Sequence, residues 1–354
     1  MKRIPALITA LLLSPLASLH ADETSTIQIT DRTVIFKHTN TNPKDPTNKS
    51  GYNLGPSLAL LPDGRLMAAW FSSPSEGAES QRIVQAFSSD QGRTWGEATV
   101  LQDIAGRADF DPALFVAGKE TFLFFSCFDP QIDIYFRRSS DSAQTWTAPV
   151  KLHQPNHTTR SNGIALSTGE LLVPLHTRGT KAGGVMKSRD GGQTWTRFGA
   201  VANPEGQGGE PTIAETKSGK IHMILRTKDG QLWRSISTDK GETWSAPEKT
   251  GLTGTSSASH LLCTSDGTLV LTYNPGPTPL RFPLLIRTSR DEGATWSEPT
   301  LLADRPAKVG GWSICYPTLT ELPDGTLSAI WAQIKSSPGE LYGDIHSARI
   351  KLPN

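Results

Sequence analysis

The chain has 354 residues, with 35 basic and 34 acidic side chains and a formal net charge of +1 at pH 7. This length allows one large domain or two ordinary ones. The balanced charge lacks the basic surplus that favours nucleic-acid binding, so no nucleic-acid partner is predicted. Glycine (32) and proline (25) are abundant, which favours many short strands and turns over long helices.

The chain begins with the organisation of a secretory signal peptide. Two basic residues precede a short apolar core at Ala6–Leu16, and a small-residue cleavage site follows near Ala21. The apolar core is too short to span a bilayer, and no second candidate follows it. The sequence therefore predicts a signal peptide at 1–21 and one domain at 22–354 without a membrane span. The expected location is secreted or periplasmic.

Three cysteines, Cys127, Cys263 and Cys315, lie far apart in strand-like runs. They show neither the spacing of a metal site nor that of a disulfide framework, so buried thiols are predicted. No His/Cys cluster has metal-ligand spacing, and neither a metal nor any other cofactor is predicted.

An eight-residue phrase occurs five times in the chain. The copies are SSDQGRTW at 88–95, SSDSAQTW at 139–146, SRDGGQTW at 188–195, STDKGETW at 237–244 and SRDEGATW at 289–296. Their tryptophans are 51, 49, 49 and 52 residues apart. A strand-like run precedes each copy, and before it stands a hairpin with a glycine turn. About 50 residues with roughly four short strands is the size of one propeller blade.

The two ends of the chain supply the remaining strands. A sixth hairpin at Leu319–Ala332 is followed by DIHSARIKL, and an isolated strand-like run, TVIFKH, lies at Thr33–His38. We therefore predict an all-β fold, a six-bladed β-propeller whose ring is closed by pairing of the N- and C-terminal strands. Such closure removes the sheet edges that would otherwise promote aggregation.

The repeated phrase is predicted to build turns rather than to do chemistry. Its Ser, Asp and Thr side chains can bond neighbouring backbone groups, its Gly allows a left-handed conformation, and its Trp can pack under the turn. Five equivalent aspartates do not make a catalytic site, because such a site needs different groups at one point. The candidate functional residues are therefore those that do not repeat.

The five phrases resemble the Asp-box, and the chain from residue 22 onward is similar to the sialidase superfamily of six-bladed propellers. The resemblance implies an exo-acting glycoside hydrolase that cleaves a terminal acidic sugar with retention, has a carbohydrate or glycoconjugate as its partner, and uses no metal. The Asp-box alone indicates the fold, because binding proteins and other hydrolases carry it too. The activity has to be argued from the site.

The stretch GGEPTIAETKSGKIHMILRT holds two candidate site residues. Glu210 stands before one apolar strand and Arg226 ends the next, so a hairpin returns Arg226 beside Glu210. The resemblance implies that Glu210 is the base for a tyrosine nucleophile and that Arg226 binds the substrate's acidic group. The alternative is a solvated salt bridge at the end of a hairpin.

Two further candidates follow in the fifth and sixth blades. Arg281 follows a proline-rich loop, and Tyr316 lies 35 residues later at the start of the sixth hairpin. The resemblance implies that Arg281 is another arginine for the acidic group, to which its planar fork is suited. It implies that Tyr316 is the nucleophile, since a carboxylate nucleophile would repel an acidic substrate. The alternatives are a solvated loop arginine and an aromatic side chain that fills the channel.

The general acid is expected from the first blade. The loop FSSPSEGAESQ holds Glu76 and Glu79 but lacks the aspartate of sialidases, and Glu76 is the first choice. Asp111, in DFDPALF, is the second acidic candidate. Arg160 and Asn162, in TRSNGIAL, open the third hairpin and are predicted to contact substrate hydroxyl groups.

One position departs from the family pattern. Sialidases begin the first blade with an Arg-Ile-Pro phrase, and its arginine completes the group of three that binds the substrate carboxylate. The matching stretch here, GYNLGPSLALL, aligns Pro56 with the proline and puts Leu54 in place of the arginine. This weakens the prediction of sialic acid as substrate. It leaves open a non-catalytic carbohydrate-binding propeller, and a polysaccharide lyase or another hydrolase on the same scaffold.

Overall fold

The computed structural model describes residues 26–45, 47–180, 182–202, 208–276, 281–306 and 310–353. The predicted signal peptide at 1–21 lies outside these ranges. Nothing in the described part of the chain forms a helix able to cross a bilayer.

The described residues form 25 strands arranged in six sheets. In chain order the strands are β1 (Gln28–Phe36), β2 (Tyr52–Leu60), β3 (Leu66–Ser73), β4 (Arg82–Ser88), β5 (Thr99–Gln102), β6 (Asp109–Ala117), β7 (Glu120–Asp129), β8 (Gln131–Ser139), β9 (Val150–Lys151), β10 (His157–Thr159), β11 (Ile164–Ala165), β12 (Leu171–Thr177), β13 (Gly183–Ser188), β14 (Thr196–Val201), β15 (Gly208–Glu215), β16 (Ile221–Thr227), β17 (Gln231–Ser237), β18 (Glu248–Thr253), β19 (His260–Cys263), β20 (Leu269–Tyr273), β21 (Leu284–Ser289), β22 (Thr300–Ala303), β23 (Trp312–Glu321), β24 (Leu327–Ser337) and β25 (Glu340–Lys351).

Each sheet is one antiparallel blade. Four blades use strands in chain order: β2 to β5, β6 to β9, β15 to β18 and β19 to β22. The third blade has the order β10-β12-β13-β14, with the short β11 also paired to β12, so its inner strand is broken in two. The sixth blade is β23-β24-β25-β1. Because β1 pairs antiparallel with β25, the two ends of the chain close the ring, and the predicted fold is confirmed.

The core consists of apolar layers between neighbouring blades. Strand β3 is buried along its whole length, since both of its faces are covered. On one side, Met67 packs with Leu114 and Phe125 of the next blade in a shared cluster. Burial of such side chains stabilises the fold by about 1.5–3 kcal/mol each. Cys127 and Cys315 are buried as predicted, whereas Cys263 is only partly so.

The repeated phrase forms the turn between the third and fourth strands of five blades. In the first copy, Ser88 Oγ donates to Asp90 Oδ1 at 2.8 Å and accepts from the Gly92 amide at 2.8 Å. Asp90 also accepts from the amide and hydroxyl of Thr94, at 2.9 and 2.6 Å. These bonds lower the pKa of Asp90 to about 2, with the Thr94 hydroxyl contributing most.

The other four copies repeat this hydrogen-bond pattern. The prediction that the phrase is turn architecture is therefore confirmed. The tryptophans are less uniform than predicted. The indole N–H of Trp244 donates to the Gly241 carbonyl at 3.1 Å, whereas those of Trp95 and Trp146 are buried and make no hydrogen bond to a described residue.

Candidate active site

A bulge recurs at the same place in the inner strands of four blades. The pairing register of the first hairpin shifts at this point in blades one, two, four and six. The bulge residues are Gly55, Asp111, Glu210 and Tyr316, with φ angles of 67°, 51°, 41° and 56°. A proline follows each of them. Proline cannot donate to a sheet ladder, so in a strand it fits such a bulge.

The bulges direct unusual side chains to one cavity. A left-handed conformation costs a non-glycine residue roughly 1–2 kcal/mol, and such strain often marks functional positions. Three of the four bulges carry an ionisable side chain, and Asp111, Glu210 and Tyr316 all line one cavity of about 810 Å³. The backbone thus places two carboxyl groups and a phenol at a common point.

Arg226 links the centre of this cluster. Its Nη1 lies 2.5 Å from Glu210 Oε2 and 3.4 Å from Tyr316 Oη. Its Nε and Nη2 reach Ser256 Oγ at 3.2 and 3.1 Å, which fixes the orientation of the guanidinium. Arg281 approaches the same phenol from the fifth blade, with Nη1 at 3.5 Å from Tyr316 Oη. Two guanidinium groups therefore converge on one tyrosine oxygen.

The charges around Glu210 keep it ionised. Burial by itself raises the pKa of this carboxyl, but Arg226, His176 and Arg160 outweigh the effect and lower it to about 2. The side chains of Glu210 and Arg226 are 14% and 16% exposed, so the pair is not the solvated salt bridge of the alternative interpretation.

Tyr316 is protonated at neutral pH. Burial and the Glu210 carboxylate raise the pKa of the phenol to about 12, although Arg226 and Arg281 oppose the rise. The phenol is therefore neutral in the resting protein and needs a base before it can act as a nucleophile.

The two acid candidates lie on the same cavity in different surroundings. Glu76 lies in an exposed loop, where Tyr52 Oη donates to its Oε2 at 3.4 Å. Burial raises the pKa of Asp111 to about 7, with a smaller rise from Glu210 and an opposing effect of Arg160. Asp111 therefore remains partly protonated at neutral pH.

Arg160 and Asn162 do not line this cavity. Arg160 is buried beneath the ring of Tyr316, with its guanidinium carbon 4.4 Å from the ring centroid. Asn162 borders a different cavity, where its Oδ1 accepts from Ser57 Oγ at 2.5 Å and its Nδ2 donates to the Leu58 carbonyl at 2.7 Å. The structure thus places neither residue at the cavity that Glu210 and Tyr316 line.

The first blade contributes an apolar wall. Leu54 lines the cavity, is 4% exposed, and pairs in register with Phe71, which also lines it. In the fourth blade the equivalent pair is Gly209 and Arg226. The position that Arg226 occupies in the fourth blade is thus occupied by Phe71 in the first blade. The first blade has an aromatic ring where the fourth has a cation.

Sequence reasoning missed two polar residues of the third blade. His176 is not among the residues predicted for the site, but it contributes to the low pKa of Glu210 and packs on Gly209. Arg178 lines the cavity. A signal for His176 was present, since it is the sixth residue of β12 as Arg226 is the sixth of β16.

No group of three or more His, Cys, Asp or Glu side chains in the described ranges is arranged to hold a metal ion. The side chains that line the cavity include the phenol of Tyr316, the carboxyl groups of Asp111 and Glu210, and the guanidinium group of Arg178.

Fold and repeat together define a sialidase-like BNR propeller. The sequence profile of the BNR repeat-like domain family matches residues 64–329, and the chain belongs to this family.

Two curated relatives are exo-alpha-sialidases that are similar to part of the chain. The one from Aspergillus fumigatus is 24% identical over 230 residues, which cover 62% of this chain and 50% of that protein. The one from Arthroderma benhamiae is 32% identical over 96 residues, which cover 25% of this chain and 22% of the relative. The chain thus spans half or less of the length of these relatives.

Solved structures show the same fold. The leech intramolecular trans-sialidase has a TM-score of 0.72 at 20% identity, covering 90% of this chain and 70% of its own. The intramolecular trans-sialidase of Ruminococcus gnavus has a TM-score of 0.73 at 18% identity, covering 89% of this chain and 96% of its own. A protein of unknown function from Dyadobacter fermentans has a TM-score of 0.73 at 18% identity, covering 92% of this chain and 99% of its own. At these identities the likeness shows the fold alone.

Proposed function

We propose that this protein is an exo-acting glycoside hydrolase of the sialidase type that removes a terminal acidic sugar. The observation that carries the proposal is the convergence of Arg226 and Arg281 on the phenol of Tyr316, with Glu210 held by the same Arg226. A binding surface alone has no need of a tyrosine in a strained conformation beside an ionised carboxylate.

The reaction has two displacements. Tyr316 Oη attacks the anomeric carbon as its proton passes to Glu210, and the bond to the leaving oxygen breaks as a carboxyl group protonates that oxygen. Water then attacks the anomeric carbon, and the deprotonated carboxyl group takes a proton from the water. The Tyr316 phenolate leaves and takes its proton back from Glu210. Two inversions at one carbon give net retention.

An acidic group on the sugar would activate the base as it binds. Arg226 is a principal reason for the low pKa of Glu210. A substrate acid that pairs with Arg226 and Arg281 neutralises part of this charge, and the pKa of Glu210 rises toward a value suited to a base. Substrates with an acidic group are thereby favoured over neutral sugars of the same shape.

The acid for the leaving oxygen is Glu76 or Asp111, both on the cavity. Asp111 has the pKa of a general acid at neutral pH, whereas Glu210 is held as a carboxylate. Two carboxyl groups whose surroundings move their pKa values apart is the usual arrangement for an acid and a base in one site. The structure therefore favours Asp111 over the sequence's first choice, Glu76.

Replacement of Tyr316 by Phe tests the proposal. The purified protein is offered α-glycosides of sialic acid, uronic acids and related keto-acid sugars that release a fluorescent aglycone. We expect turnover of at least one of them, retention of configuration by proton NMR, and a loss of roughly a hundredfold or more in kcat for Tyr316→Phe. Tyr342→Phe is the matched control, because Tyr342 stacks on His38 away from the cavity.

Leu54 gives the second candidate, a carbohydrate-binding propeller without turnover. Leu54 is buried beside Tyr316 in one apolar cluster, at the position where sialidases have an arginine. The cation that would complete the binding of a carboxylate is therefore missing from this position. Binding across the panel without any released aglycone would establish this function and end the hydrolase proposal. Products that absorb in the near ultraviolet would instead identify a lyase.

A further inference from the structure

A buried arginine that does not line the cavity lies against the ring of the proposed nucleophile. Arg160 is 3% exposed, and its guanidinium carbon lies 4.4 Å from the ring centroid of Tyr316. Its Nε is buried and has no hydrogen-bond partner among the described residues. Burial of a charge without a hydrogen-bonded ionic partner is costly. The face of the Tyr316 ring is the contact that offsets part of this cost for Arg160.

The charged groups around Arg160 belong to the site. It lowers the pKa values of Asp111 and Glu210, in each case against the effect of burial. It also adds to the burial that lowers the pKa of His260 to about 3, and it acts on the thiol of Cys315, whose pKa burial raises. Arg160 therefore lies in the field of the site's carboxylates while its guanidinium rests on the phenol ring.

We propose that Arg160 is a positioning residue for Tyr316, which holds the ring in place and stabilises the negative charge that the phenol oxygen gains during the reaction. This inference rests on the proposed hydrolase function. The attraction between a cation and an aromatic ring is electrostatic, so it strengthens as the ring gains electron density. An interaction that is stronger in the transition state than in the resting state accelerates the reaction.

Arg160 differs from the other two arginines near this ring. Arg226 and Arg281 contact the phenol oxygen itself and are proposed to hold the substrate's acidic group. Arg160 does not line the cavity, so it acts on the reaction without contacting the substrate, through the ring of Tyr316 and through its charge near Asp111 and Glu210. Loss of Arg160 is therefore expected to lower kcat and leave KM nearly unchanged, whereas loss of Arg226 affects both.

The experiment compares Arg160→Met, which keeps the length of the side chain without its charge, with Arg160→Lys, which keeps the charge. We expect kcat to fall about tenfold or more in Arg160→Met with KM within about twofold, and a smaller fall in Arg160→Lys. Arg65→Met is the matched control, since Arg65 lies 4.7 Å from the Phe87 ring, remote from the cavity.

A second readout needs no substrate. The five tyrosines are replaced by 3-fluorotyrosine, Tyr316→Phe identifies the signal of residue 316, and fluorine NMR follows its titration. The ionisable groups that face this phenol are Glu210, Arg226, Arg281, Cys315 and Tyr52, and they stay in place in both variants. We expect a higher pKa for Tyr316 in Arg160→Met and a value near the original in Arg160→Lys.

The outcomes separate this inference from the proposed function. A Tyr316 pKa and a kcat that are unchanged in Arg160→Met would overturn the positioning role, even in an active enzyme. A raised KM with unchanged kcat would overturn it too, because Arg160 would then bind substrate. If no glycoside is hydrolysed, the proposed function fails while the titration still decides whether Arg160 acts on the phenol. If Arg160→Met does not fold, Arg160→Lys decides: a pKa of Tyr316 that rises despite the retained charge contradicts the inference.

Discussion

Replacement of Asp111 by Asn is expected to stabilise the protein while it impairs activity. Asp111 is strained, with a φ angle of 51°, and half-buried in the cavity wall, where desolvation raises its pKa from 3.8 to about 7. Asparagine resembles the protonated carboxyl in shape, and it tolerates the left-handed conformation better than most residues. The variant therefore removes the cost of ionising this group and keeps the backbone.

The size and sign of the effect follow from proton linkage. Because the pKa of Asp111 is higher in the folded chain than the unfolded value of 3.8, its contribution to stability is full below that value and is lost as the pH rises toward 7. A difference of about three between the two pKa values corresponds to roughly 4 kcal/mol above neutral pH. The difference in the free energy of unfolding between Asp111→Asn and the wild type should therefore grow by roughly 2.5 kcal/mol, in favour of the variant, between about pH 5 and about pH 8.

Urea unfolding of both proteins at the two pH values measures this gain. Asp109→Asn is the control for activity, because Asp109 is also buried with a pKa raised to about 6 but bonds Gln102 and the Ile104 amide instead of lining the cavity. We expect Asp109→Asn to keep kcat and Asp111→Asn to lose at least tenfold. A stability difference between wild type and Asp111→Asn that does not change with pH would refute the reasoning.

Two further predictions concern the loop acid and the repeated turn. Glu76→Gln should change kcat less than threefold for a glycoside with a poor leaving group, because Asp111 and not the exposed Glu76 is proposed as the proton donor; a loss comparable with that of Asp111→Asn would assign that role to Glu76. Gly192→Ala should lower the free energy of unfolding by about 2–4 kcal/mol in urea titrations, since its Cβ would lie 2.4 Å from the Phe122 ring at a φ angle of 86°. The reverse change at the equivalent turn, Ala143→Gly, should be neutral or slightly stabilising, and equal effects of the two would contradict this account.

The fold could be predicted because its signals are local and repeated. The tryptophan spacing counts five blades, and each glycine hairpin specifies an adjacent pair of strands. The prediction of ring closure needed one further argument, that proteins avoid unpaired sheet edges. The pairing of β1 with β25 closes the ring. The pairing of Glu210 with Arg226 was predictable for the same reason, since one hairpin carries both.

Other parts of the site could not be predicted, because they depend on contacts between blades. Arg160 lies under Tyr316 although 156 residues separate them, and no pattern in TRSNGIAL shows on which side of the broken strand it falls. Asn162 follows two positions later and turns to a different cavity. The bulges did have a sequence signal that was overlooked: the dipeptides Gly-Pro, Asp-Pro, Glu-Pro and Tyr-Pro occupy equivalent places in four blades.

The distribution of charge around the repeated bulge would also orient the proposed substrate. In the first blade the bulge residue is Gly55, where an added Cβ would lie 2.9 Å from the Phe71 ring and 3.4 Å from Asp111 Oδ1. The bulge of this blade therefore has no room for a side chain, and the inner strand beside it offers an apolar wall of Leu54 next to Asp111, the proposed acid. The cations that reach the phenol, Arg226 and Arg281, come from blades four and five. A sugar with one acidic group would turn that group toward these two arginines, which leaves its apolar face against Phe71 and its leaving oxygen toward Asp111.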